Sequence, residues 1–138
     1  ENNGLIKSGF GFVELKREIE RQTGDEINVQ RKAPRTQDNI VQLITDLIEE
    51  DVTPIISIDW KNGGAHALLA IGYESDDKDT ITKILCLDPG AEAHEDSSWN
   101  CYLDVKKKDS EFPIKHVAIR RGLSSCKLGD LLILNIAD

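Results

Sequence analysis

A histidine that follows two glycines and opens an apolar run is the residue whose type and setting point most directly to chemistry. Gly63-Gly64-Ala65-His66 leads into Ala67-Leu68-Leu69-Ala70-Ile71-Gly72-Tyr73. At the two-residue period of a strand, His66 shares a face with Leu68 and Ala70. Glycines just before it permit close approach of another backbone or a ligand. On periodicity alone, a half-buried histidine bonded to a carbonyl accounts for the position as well as a general base does. Asp88 closes the next apolar run, Ile81–Leu87, ahead of Pro89-Gly90. If the two runs pair as a hairpin through the Glu74–Thr80 turn, the start of the first lies opposite the end of the second. The separation, 88 minus 66 or 22 residues, fits two strands of roughly eight residues and a turn. A carboxylate so placed accepts the imidazole N–H, fixes the tautomer and stabilises the imidazolium. An aspartate before Pro-Gly also serves simply to start a turn.

Trp60, just before the glycine turn, and Trp99, after the loop that follows Asp88, are expected to border the same cleft as an apolar wall, with Gly64 at its rim. Ordinary core packing explains the tryptophans equally well. His116 alternates with Ile114 and Ala118 and reads as a strand-face or core histidine; His94, in an acidic loop, reads as solvated. Lys106–Lys108 reads as a solvated loop tip. No HxxxH or CxxC spacing links the histidines to Cys86, Cys101 and Cys126, so no metal site and no cofactor are expected. No phosphate-binding glycine pattern is present either.

The elements that must hold these residues come in two blocks. Phe12, Leu15 and Ile19 fall at helical spacing within 10–22, and Gly24 suits a helix C-terminus. After a short β-type segment over Ile27–Gln30, Thr36 is a natural N-cap for a second helix. Its stripe is Ile40, Val41, Leu43, Ile44, Leu47 and Ile48. Beyond Pro54 come strand candidates at Ile55–Asp59, Ala65–Tyr73, Ile81–Leu87, Asn100–Val105, Ile114–Arg120 and Leu131–Ile136. Helices first and strands after predict an α+β fold with a mainly antiparallel sheet of five or six strands.

The succession of an amphipathic helix, "TPIISIDW", "GGAHALLAIGYE" and "ILCLDPG" resembles the papain-like cysteine peptidases, particularly bacterial peptidases similar to the C39 group. The resemblance spans roughly residues 36–104 and implies N-terminal helices packed on that sheet. It also implies that His66 is the general base, Asp88 its orienting partner, and the substrate a peptide or protein. The family's nucleophilic cysteine lies ahead of the histidine, and here no cysteine precedes His66. Cys86 follows it inside a strand, without the helix N-terminus that would stabilise a thiolate. Ser8 and Thr23 lie near the first helix with nothing to mark either as a nucleophile.

The 138 residues fit one domain, 1–138. With 39% hydrophobic and 30% charged residues the composition is that of a globular protein. A net charge of −8 disfavours nucleic acid as a partner, because phosphate-backbone binding relies on clustered Lys and Arg. No run reaches the ~20 apolar residues of a membrane span. Three cysteines without a framework pattern favour a reduced-thiol compartment. Methionine is absent throughout, so the chain is expected to be processed or excised from a longer one, with a nucleophile upstream or lost. Glu1-Asn2-Asn3 resembles the "VENN" boundary that precedes C-terminal toxin regions of contact-dependent inhibition proteins. That resemblance implies delivery from a secreted or surface parent and an immunity protein as partner. Three readings therefore stand at the level of sequence: an amide-hydrolysing enzyme of thiol type, a toxin domain, and an inactive binding module.

Overall fold

The computed structural model describes residues 11–89, 98–106, 110–118 and 122–136. Glu1-Asn2-Asn3, Ser8, Gly90, His94, Lys107 and Lys108 lie outside the described residues.

Helix α1, Phe12–Gln22, starts at Gly11, whose N–H donates to the Glu14 carboxylate at 3.3 Å. It ends before Gly24, which adopts a φ of 60°. None of its side chains is fully buried; it lies against strand β1, Ile27–Lys32, where Glu20 accepts the Val29 N–H at 3.1 Å. Helix α2, Gln37–Glu49, has the expected N-cap: Thr36 Oγ1 accepts the Asn39 N–H at 3.1 Å. Its inward stripe of Ile40, Ile44 and Leu47 enters the core.

The remaining strands are β2 (Ile55–Trp60), β3 (Ala65–Ser75), β4 (Ile81–Leu87), β5 (Cys101–Asp104), β6 (Ile114–Ala118) and β7 (Gly122–Ile136). Their order is β1-β7-β2-β3-β4-β5-β6, every pairing is antiparallel, and β6 also pairs with β7. That last pairing closes six strands into a barrel, with β1 added outside it on β7.

The architecture corrects the expected α+β papain-like fold. Among the described residues the structure is mostly antiparallel sheet, and two helices accompany a closed barrel instead of forming a helical half packed on an open sheet. The physical reason is β7. The sequence suggests a strand only over Leu131–Ile136, because Ser124, Ser125, Lys127, Gly129 and Asp130 interrupt the apolar pattern. The structure runs one strand of 15 residues through them. Its first half pairs with β6 and its second with β1, while β2 spans the middle. The β2–β7 register shifts between Ile56 and Ile58, where Ser57 sits against Gly129. Ser57 Oγ donates to Asp130 Oδ1 at 2.9 Å and accepts the Asp130 N–H at 3.0 Å, and Arg31 Nε reaches Asp130 Oδ2 at 2.7 Å. This irregularity bends the strand, as bulges do.

Six strands leave an interior that side chains fill. Ile56, Ile58, Leu68, Ala70, Ile84, Cys86, Cys101, Leu103, Ile114, Cys126, Leu128 and Leu131 form one buried cluster. The stripe of α2 belongs to the same cluster. Polar groups join this interior where β2 ends and β3 begins.

Candidate functional site

The polar residues of the site lie on strands or at the residue next to a strand end, turned toward the barrel interior. His66 on β3 follows the same face as the buried Leu68 and Ala70. Gly63 and Gly64, with φ of 102° and 86°, make the turn from β2 into β3, and the Trp60 N–H donates to the Gly64 carbonyl at 3.0 Å. A Cβ at either glycine would meet open space, so these residues are required by their backbone angles and not by a close neighbour. Gly64 is exposed.

Asp88 follows β4 two residues beyond the buried Cys86 and is itself buried. His66 Nε2 lies 2.7 Å from Asp88 Oδ1; the Asp88 side chain is 2% exposed and that of His66 32%. With Nε2–H donated to the carboxylate, the second ring nitrogen, Nδ1, carries the lone pair. Asp88 is fixed in turn by Asn100. The Asn100 side chain accepts the Asp88 N–H at 2.7 Å and donates to the Asp88 carbonyl at 2.9 Å. Sequence reasoning assigned Asn100 no part in the site, since one asparagine at a strand start carries no distinguishing signal.

The indole of Trp60 stacks on His66 at 6.0 Å between centroids and meets His116 edge-on at 5.1 Å. Trp99 packs edge-on against Tyr102.

Behind the His66–Asp88 pair lies a group that the spacing of the sequence does not reveal. Asp88, Cys101 and His116 are all buried, and each offers one donor atom within 4.8 Å of the others. Asp88 follows β4, while Cys101 and His116 sit on the neighbouring strands β5 and β6: Cys101 pairs with Cys86, and His116 pairs with Leu103. His116 Nε2 is 3.5 Å from Asp88 Oδ2 and has no hydrogen-bond partner among the described residues. The Cys86 thiol beside Cys101, together with His116, draws the Cys101 thiol down to about 6 against the cost of burial. Burial disfavours charge on His116, yet the Cys101 sulfur and the Asp88 carboxylate hold it above the ordinary histidine range. Cys86 is pushed well up by Cys101 and by burial. Burial, with Asp59 nearby, pushes Cys126 up to about 12. All three thiols are buried and unpaired as disulfides.

Taken together, the barrel presents, where β2 turns into β3, a partly exposed imidazole held by a buried carboxylate, with an indole beside it. No family model, curated protein or solved structure matches this chain. The parts assigned to His66 and Asp88 by family resemblance came with a fold that the chain does not have.

Proposed function

We propose that the domain hydrolyses amide bonds of the peptide type, with His66 as general base and Asp88 as the residue that orients it. The observation that carries this reading is the 2.7 Å contact between a partly exposed imidazole and a carboxylate that is almost wholly buried. A carboxylate on Nε2 holds the ring with Nδ1 free to take a proton, and it stabilises the imidazolium that results. The proton then passes to the leaving amine. Cys86, Cys101 and Cys126 are buried, so the nucleophile that His66 serves is a thiol presented from outside these three, or water.

The test uses p-nitrophenyl acetate and a mixed peptide library, the first read by absorbance and the second by mass spectrometry. Wild type is expected to turn over both, Asp88→Asn far more slowly, and His66→Ala not above buffer. A small added thiol should accelerate wild type and leave His66→Ala unchanged. Equal rates in wild type and His66→Ala refute the reading.

The burial of every thiol also favours a second reading, an inactive module that holds a peptide at Trp60. In that case peptide capture survives His66→Ala and fails in Trp60→Ala.

A further inference from the structure

We propose that Asp88, Cys101 and His116 form a binding site for a divalent transition-metal ion, zinc by the chemistry of the ligands. The three donors are a carboxylate oxygen, a thiol sulfur and an imidazole nitrogen, all within 4.8 Å of one another. Zinc accepts all three ligand types, whereas magnesium and calcium require oxygen. The independent sign is His116. Its side chain is 6% exposed, and its Nε2 is turned toward Asp88 Oδ2 at 3.5 Å without a hydrogen-bond partner among the described residues. Buried polar atoms are almost always satisfied, so such an atom calls for an explanation. A metal ion supplies one.

Distances agree with this assignment. Two ligands each about 2.1 Å from zinc at the tetrahedral angle lie about 3.4 Å apart. His116 Nε2 and Asp88 Oδ2 are 3.5 Å apart. The Cys101 sulfur has to draw in by at most about 1 Å to complete the set, a small side-chain rotation. On binding, the proton held within the Cys101–His116 pair goes to solvent, leaving a thiolate sulfur and a neutral imidazole as ligands.

The surroundings are those of a supported site. Asn100 fixes the Asp88 backbone from both sides and immediately precedes Cys101. Trp60 walls the His116 ring. Outer contacts of this kind orient metal ligands. Three protein ligands leave a fourth position, as catalytic zinc sites do. The assignment does not depend on His66 acting as a base, because His66 engages Oδ1 while His116 faces Oδ2.

The test is a cobalt(II) titration of the chelator-treated full chain under reducing conditions, read by absorption. One equivalent is expected to bind with a thiolate-to-cobalt charge-transfer band and with the intense visible bands of tetrahedral cobalt, and zinc should displace it. Cys101→Ser should lose the charge-transfer band. His116→Gln should weaken binding by more than the roughly 10–100-fold of an outer-contact change. His66→Ala should keep both bands while losing acyl hydrolysis, so failure of one reading is distinguishable from failure of the other. Because substitutions in the barrel interior risk misfolding, X-ray absorption on zinc-loaded wild type provides a second measurement, with one sulfur among nitrogen and oxygen neighbours expected. The proposal is overturned if cobalt fails to bind at one equivalent, if the zinc shell lacks sulfur, or if the charge-transfer band persists in Cys101→Ser.

Discussion

Replacing Asn100 with alanine isolates the device that holds Asp88 in place. The Asn100 carboxamide satisfies two buried backbone groups at once, accepting the Asp88 N–H at 2.7 Å and donating to its carbonyl at 2.9 Å. Alanine reaches neither. A buried polar group left without a partner costs about 1–3 kcal/mol, so the two together should cost about 4 kcal/mol. Folded domains have only about 5–15 kcal/mol to lose. With a urea dependence of about 2 kcal/mol per molar, the unfolding midpoint should fall by about 2 M. Equilibrium urea unfolding followed by tryptophan fluorescence reads this directly, because Trp60 and Trp99 both lie near the affected turn. The same substitution frees the Asp88 backbone to shift away from His66, so hydrolysis by the surviving folded fraction should fall too. A midpoint shift below about 0.5 M, or about 1 kcal/mol, would refute the reasoning. So would full hydrolytic activity in a variant that has lost the expected stability.

Other substitutions probe the barrel itself. Gly129→Ala places a Cβ against the Ser57 hydroxyl, which is pinned by two bonds to Asp130; a loss of about 1–3 kcal/mol is expected in the same urea assay. Ile44→Ala empties a fully buried position where α2 enters the core and should cost about 2–5 kcal/mol, visible as a lowered thermal midpoint. Alkaline pH should destabilise the fold through Cys126. Its thiol proton is retained in the folded state up to about 12 but leaves the unfolded chain near the ordinary 9.0, so stability falls as pH rises through that window. The slope from this group is about 1.4 kcal/mol per pH unit, and Cys126→Ala should remove that share of it in unfolding experiments across the window.

Local pattern and local turn chemistry made some elements legible and left others hidden. The runs flanking Glu74–Thr80 are strands that pair with each other, and His66 meets Asp88 because a hairpin's register follows from its turn and its alternation. Thr36 announces α2 through the bonding of its own hydroxyl. The barrel could not be read in this way. Its closure depends on one strand changing partners along its length, and the polar residues that permit the change look like a loop. Helix α1 lies where the spacing of Phe12, Leu15 and Ile19 puts a helix, yet it buries no residue fully. The group of Asp88, Cys101 and His116 was invisible for a related reason. Its members come from β5, β6 and the residue after β4, which sheet pairing sets side by side, and no short spacing marks them.

The dependence of the fold on β7 has a consequence for how the chain acquires its structure. Strands β2 to β6 can pair hairpin by hairpin through contacts close in sequence, but they then form a curled sheet with two bare edges. Both edges are covered by the same strand, through Ile58 with Leu128 on one side and Ile114 with Cys126 on the other. Ile27 finds Ile136 only when that strand is in place. The β6 edge is covered through a hairpin close in sequence, but the β2 and β1 pairings join residues far apart along the chain; such pairings form slowly, and a bare strand edge recruits other chains while it waits. The interior that holds His116 and Cys101 is therefore open to water until the final strand docks. Damage to any part of β7 should act on solubility during synthesis before it acts on the stability of the finished barrel.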